Sequence, residues 1–221
     1  MARSKYVLPF IAFVAVGMAI GTNNHWENDK ESALLRLGFV KPEILSWSPR
    51  IILFHNFLSM EECDYLKSIA RSHLEISTVS IKSKVRTSSG MFLSSKDRQI
   101  PIIKAIEKRI AVFSQIPTEN GEAIQFSLKN GGQRVATMLM YLNDVDEGGE
   151  TIFPQAGSSE CSCGGNKVKG LCMKPRKGDA ILFWSMGLDG QSDPNSLHGA
   201  CPIVKGEKWS ATKWLRQGDI S

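Results

Sequence analysis

Apolar and polar residues along this chain fall into runs of two different periods. Arg50 to Phe57 (Arg-Ile-Ile-Leu-Phe-His-Asn-Phe) has the β-branched and aromatic density of a strand. Ser59 with Glu62 then forms a capping box, each side chain satisfying an amide that a helix start leaves bare, and predicts a helix through about Arg71. Ile102, Ile103, Ile106 and Ile110 recur at helical spacing, which predicts a second helix from Ile100 to about Phe113 with Pro101 tolerated in its first turn. After Gly132 the period shortens. Val135 to Leu142, Ala180 to Trp184 and Trp209 to Leu215 are short apolar or alternating runs divided by Gly, Pro, Asp and Asn. They predict short strands in a β-sandwich or barrel-like pair of sheets, braced by the two helices.

The N-terminal pattern is different in kind. Tyr6 to Gly21 is apolar and uncharged and follows Arg3 and Lys5. As a helix it would span roughly 24 Å, short of the ~30 Å hydrocarbon core of an average bilayer but adequate for thinner early secretory membranes. Residues 1–21 therefore read as an uncleaved signal anchor, oriented N-in by Arg3 and Lys5. A cleaved signal peptide is the rival reading. Either one places the rest of the chain in the lumen; the anchor makes it a single-pass type II protein of the endoplasmic reticulum or Golgi membrane. Residues 22–48 are polar and mixed and read as a stem, leaving residues 49–221 as one catalytic-sized domain.

Composition narrows the partners. The net charge of +5 is spread along the chain, with Asp and Glu interleaved among Lys and Arg, so the basic excess does not point to nucleic acid. Cys161, Cys163 and Cys172 cluster in a Gly/Ser-rich loop, Cys63 and Cys201 stand alone, and the odd count leaves at least one thiol unpaired. Cys161-x-Cys163 has no neighbouring His and no second cysteine pair to complete a zinc site, so a loop disulfide involving Cys172 is the expectation, as suits a secretory compartment.

Candidate chemistry is sparse because the chain has four histidines. His198 lies in Ser-Leu-His-Gly-Ala-Cys-Pro, and Lys208 follows in Gly-Glu-Lys-Trp-Ser. A neutral imidazole can bind iron(II) and an ammonium can anchor a carboxylate. On successive antiparallel strands turning near Lys205 and Gly206, the two side chains would enter one cavity. On spacing alone, a solvated hairpin is the simpler reading.

Six motifs in order change that reading. They are Val85-Arg86-Thr87-Ser88-Ser89-Gly90-Met91-Phe92-Leu93, Gly131-Gly132-Gln133-Arg134-Val135-Ala136-Thr137 and Tyr141-Leu142-Asn143-Asp144-Val145, followed by Glu147-Gly148-Gly149-Glu150-Thr151-Ile152-Phe153-Pro154, Lys177-Gly178-Asp179-Ala180 through Phe183-Trp184-Ser185-Met186, and Lys208-Trp209-Ser210-Ala211-Thr212-Lys213-Trp214. Together they resemble the catalytic domain of plant-type prolyl 4-hydroxylases, the 2-oxoglutarate and iron(II) dioxygenases, over most of Arg50 to Leu215. The resemblance implies an α+β fold built on a double-stranded β-helix, or jelly roll. It implies His198 as the distal iron ligand, Lys208 as the partner of the far carboxylate of 2-oxoglutarate, and Thr151 and Trp214 as walls of that pocket. Arg134 and the loop Arg86, Ser88, Ser89 and Gly90 would belong to a peptide-binding surface. The implied reaction hydroxylates C4 of peptidyl proline in proline-rich secretory polypeptides, with Fe(II), 2-oxoglutarate and ascorbate.

One motif of that family is missing. Its facial triad needs two His and a carboxylate, and the first His and the carboxylate belong to a His-x-Asp strand just before Gly-Gly-Gln-Arg. Here Glu119-Asn120-Gly121-Glu122-Ala123-Ile124-Gln125 passes directly into Phe126-Ser127-Leu128-Lys129-Asn130-Gly131. By homology roughly two dozen residues are absent from what would be a core sheet of this fold, with the flanking motifs intact, as an omitted exon or an error in the gene model would leave them. His73-Leu74-Glu75 and His25-Trp26-Glu27 have the right spacing but the wrong place in the topology, and His55 reads as structural. The chain is thus expected to be weakly active or inactive. The alternative is a non-catalytic lumenal protein that binds proline-rich peptides or serves as a partner subunit.

Overall fold

The computed structural model describes residues 25–71, 75–76, 89–121 and 133–218. Three helices, α1 (His25–Leu35), α2 (Met60–Arg71) and α3 (Pro101–Ser114), pack on one side of the molecule. The strands are β1 (Lys41–Trp47), β2 (Arg50–His55), β3 (Glu75–Ile76), β4 (Ser89–Gly90), β5 (Arg134–Tyr141), β6 (Glu147–Gly148) and β7 (Thr151–Phe153). They continue as β8 (Glu160–Cys163), β9 (Asn166–Lys169), β10 (Leu171–Met173), β11 (Ala180–Trp184), β12 (Gly199–Ala200), β13 (Ile203–Lys205) and β14 (Ser210–Arg216).

A five-stranded antiparallel sheet in the order β1-β2-β11-β5-β14 carries the fold. Alternation along each strand divides the core in two, as the period-2 pattern requires. Ala136, Met138, Met140, Ala180 and Leu182 face the helices and meet Ile103, Ile106 and Ile110 of α3. Tyr141, Ile181 and Phe183 face the other way and meet Phe153 of the smaller sheet β10-β7-β12. Two facing antiparallel sheets with helices on the outer side of the larger one make the α+β jelly roll that the motifs implied.

The predicted helices form for the predicted reasons. Glu62 N–H donates to Ser59 Oγ at 3.0 Å and Ser59 N–H donates to Glu62 Oε2 at 2.8 Å, closing the capping box of α2. Pro101 occupies the first turn of α3, where its missing N–H costs nothing.

The stem reading of residues 22–48 does not hold over its described part. β1 pairs along its length with β2, and Leu35 and Val40 are buried, Val40 within the helix-side core. Polar composition concealed this because β1 is an edge strand with a single strand neighbour, and most of its side chains are exposed. The run Tyr6 to Gly21 lies outside the described residues; among those described, no helix is long and apolar enough to cross a membrane.

Cysteine pairing is likewise fuller than expected. Cys161 bonds Cys172, the anticipated loop disulfide, while Cys201 does not stand alone but bonds Cys163. Pairing of β12 with β7 brings Cys201 beneath the β8–β9 hairpin, a proximity that sequence separation hides. Cys63 remains as the buried free thiol.

Candidate active site

Lys208 is positioned by its neighbours' backbone. Asn143 Nδ2 donates to Glu207 O at 2.8 Å and Trp209 N–H donates to Asn143 Oδ1 at 2.7 Å, so one amide side chain pins the chain on both sides of the lysine. The Lys208 ammonium then donates to Gly149 O at 2.7 Å and to Thr151 Oγ1 at 3.3 Å, and lies 5.5 Å from the centre of the Tyr141 ring. Gly148 and Gly149 shape this corner with φ of 77° and 71°. A Cβ on Gly148 would stand 2.3 Å from Pro202 O, so the Glu147-Gly148-Gly149-Glu150 motif is a steric requirement of the turn.

Thr151 is buried and accepts from both Lys208 and the Tyr141 hydroxyl, the latter at 2.8 Å. Both lone pairs are then used, which leaves its own O–H free to donate. The ammonium keeps a third N–H in the same way, and no carboxylate among the described residues pairs with it. Burial pulls Lys208 down to about 8, opposed by the charge of Glu150, and burial pushes the Tyr141 phenol up. A half-buried cation with two unspent donors beside it fits a carboxylate ligand.

Trp214, on the same sheet face as Tyr141, continues the wall through its pairing with Thr137. Arg134 stacks over the Trp214 ring at 4.1 Å and is exposed, so it stands at the rim. Ser89 and Gly90 form β4, paired with Ile76 and Glu75 of β3, while Arg86 and Ser88 lie outside the described residues.

His198 sits across the inner cluster, its ring 4.4 Å from Phe183 and 5.8 Å from Phe153, with Nδ1 3.0 Å from Ser196 O. It is exposed, unlike the buried Thr151. The simple hairpin expected to join it to Lys208 is not formed. β12 after His198 pairs with β7, β13 pairs with β6, and β14 after Lys208 pairs with β5 in the other sheet. The chain crosses between sheets at Gly206, which is why both side chains still border the cluster of Tyr141, Phe153 and Phe183.

Residues 118–216 match the family described as the 2OG-Fe(II) oxygenase superfamily. The chain is 61% identical to "Prolyl 4-hydroxylase 1" of Arabidopsis thaliana, over 88% of this chain and 78% of that protein. It is 47% identical to "Probable prolyl 4-hydroxylase 3" of the same organism, over 86% and 77%. This chain belongs to the prolyl 4-hydroxylase family. The viral collagen prolyl hydroxylase vCPH of Paramecium Bursaria Chlorella virus-1, solved as a 2OG complex, shares its fold with a TM-score of 0.56 at 24% identity, over 75% of this chain and 95% of that one.

Membership of the prolyl 4-hydroxylase family implies Fe(II) and 2-oxoglutarate, and the two halves of this site answer differently. The Lys208 corner fits a carboxylate of the cosubstrate. The metal side does not fit: among the described residues no three His, Cys, Asp or Glu side chains come together. Between Gly121 and Gln133 the sequence contains no His and no Asp. His55 is engaged elsewhere, between Glu43 and Asp179 at 2.9 and 3.1 Å, as its structural reading implied. His73 lies outside the described residues.

Tyr141, Asn143 and Phe183 are the site residues that sequence reading did not single out. Tyr141 and Asn143 stood within a recognised motif, and the odd-numbered inner face of the Val135–Leu142 alternation already pointed Tyr141 toward Thr137 and Leu139.

Proposed function

We propose that this chain is a prolyl 4-hydroxylase that keeps the carboxylate-binding half of its site and has lost most of its turnover. The family reaction is 2-oxoglutarate-dependent hydroxylation of peptidyl proline in proline-rich secretory polypeptides, with bound iron(II) supplying the oxidising chemistry and ascorbate as reductant. The carrying observation is the asymmetry of the site. Lys208 and Thr151 each present one unspent donor to an anion, whereas His198 stands exposed without an acidic or second imidazole partner among the described residues. One imidazole holds iron(II) poorly.

In this reading Lys208 and Thr151 grip the far carboxylate of 2-oxoglutarate, Trp214 walls the pocket, and Arg134 with the Arg86, Ser88, Ser89 and Gly90 loop meets the peptide. The chain works in the lumen of the endoplasmic reticulum or Golgi, held by residues 1–21. The decisive experiment measures succinate formed from 2-oxoglutarate with a proline-rich peptide, iron and ascorbate, beside calorimetric 2-oxoglutarate binding. Turnover at the level of a His198→Ala variant, with binding that is lost in Lys208→Met, is expected; turnover well above His198→Ala overturns the proposal.

A second reading, a non-catalytic lumenal subunit for proline-rich peptides, is favoured by the exposed Arg134–Trp214 stack. Peptide binding without succinate supports it.

A further inference from the structure

Three large apolar side chains stand in solvent within six residues of one another. Leu34 is 55% exposed, Leu37 47% and Phe39 63%. They surround the end of α1, where Arg36 at φ 54° and Gly38 at φ 86° reverse the chain. Leu37 N–H donates to Ser32 O, and the amides of Phe39 and Val40 donate to Arg36 O. This turn sends Leu35 and Val40 into the core and leaves the other three outside. Single exposed apolar residues, such as Leu188, are ordinary; a contiguous group marks a contact surface.

The rim of the group is cationic. Lys30 and Lys41 are exposed, and the Arg36 guanidinium lies 5.4 Å from the Phe39 ring while donating to Asn56 O. Of the neighbouring acids, Glu31 is paired with Lys108 of α3, while Glu61 lies within the electrostatic reach of Arg36.

The sequence names the occupant. The apolar run ends at Gly21, and only Thr22, Asn23 and Asn24 separate it from His25 at the start of α1. The 11 residues of α1 rise ~16 Å and three extended residues add at most ~11 Å. The patch is therefore held within roughly 27 Å of the end of the run, and a tether this short gives even a small apolar surface a high effective concentration at a bilayer. Leu and Phe beneath a collar of Lys and Arg are the chemistry of interfacial membrane contact.

We infer that Leu34, Leu37 and Phe39 form a membrane-contact face, seated at the headgroup and acyl boundary of the bilayer that Tyr6 to Gly21 enters. The inference rests on the anchor reading of that run. Such a contact fixes which way the domain faces, so that the Lys208 pocket keeps a constant orientation to the membrane plane.

The test uses the full chain in phosphatidylcholine nanodiscs with a nitroxide on Phe39→Cys and, separately, on Leu37→Cys and Leu188→Cys. Cys63 is buried with its thiol pushed up to about 11, and the other cysteines are in disulfides, so labelling is site-specific. At Phe39 and Leu37, collisions with lipid-soluble oxygen are expected to exceed those with a water-soluble nickel chelate several-fold, with the reverse at Leu188. Nickel-dominated collisions at both positions, in a chain that resists alkaline carbonate extraction, overturn the inference while the anchor stands. Release by carbonate refutes the anchor reading itself, and the inference with it. Spin–spin broadening at Phe39 would assign the face to a second copy and overturn the membrane assignment.

Discussion

At the scale of single residues, the proposed anion-binding role of Lys208 carries a pH dependence. Its ammonium, pulled down to about 8 by burial, is almost wholly charged at pH ~6.5 and largely neutral by ~9.5. A dicarboxylate binds the charged form, so 2-oxoglutarate affinity measured by calorimetry is expected to fall roughly tenfold or more across that interval. Lys208→Met should bind weakly throughout and show no such slope. Tyr141→Phe removes one buried hydrogen bond to Thr151 and leaves the ring in place, so it should lower the unfolding free energy by about 1 kcal/mol while the pH slope of binding is retained.

At the scale of elements, two contacts decide how the helices and the edge strand hold on. Arg109 of α3 is almost completely buried, donates to both oxygens of Glu62 at 2.8 Å, and also reaches Phe57 O and Leu34 O. It thereby ties α3 to α1 and α2, and Arg109→Met, which strands the Glu62 carboxylate, should lower unfolding free energy by about 3–5 kcal/mol in urea titrations. His55 joins Glu43 of the edge strand β1 to Asp179, and both ring nitrogens can donate only in the protonated form. Its pKa is raised above 6.5, first by the hydrogen bond to Glu43 and then by that to Asp179, against the opposing effect of burial. A raised folded value contributes stability that is whole below ~6.5 and is lost as pH climbs through the folded pKa. The thermal midpoint should accordingly fall between pH ~6 and ~8, and more in the native chain than in His55→Gln.

Strands and helices of this chain were legible wherever a periodic face met a local signal. The Ser59–Glu62 box and the Ile102 to Ile110 spacing located α2 and α3 because capping and amphipathicity are properties of a few consecutive residues. β1 escaped because an edge strand tolerates polar residues, and the Cys163–Cys201 bridge escaped because it depends on sheet pairing across 38 positions. The route from His198 to Lys208 was misread for the same reason: a turn at Gly206 is visible locally, but whether it closes a hairpin or crosses between sheets is decided by β5, β6 and β7, far away in sequence. Lys208 and Thr151 were found through motif resemblance, and their shared hydrogen bond needed coordinates.

At the scale of the whole molecule, the proposed loss of turnover predicts that this chain gains no stability from a metal, since among the described residues no three possible ligands come together. A metal that binds only the native state raises the unfolding midpoint in proportion to its occupancy. Added iron(II) or its removal by a chelator under anaerobic conditions should therefore leave the midpoint unchanged, and His198→Ala should melt like the native chain within error. A rise of several degrees on adding iron(II) would reveal ligands that the described residues do not supply.

The lone thiol of Cys63 has a consequence for biosynthesis. It is buried on the inner face of α2, facing Tyr141 O at 3.8 Å, while the other four cysteines pair between β8, β10 and the residue after β12. Five thiols can make two bridges in about fifteen ways. A chain that oxidises before the helical side closes over Cys63 has scrambled isomers open to it. Removing that competitor by Cys63→Ala is expected to raise the share of monomer carrying the native cross-links, as read by peptide mapping of freshly expressed protein.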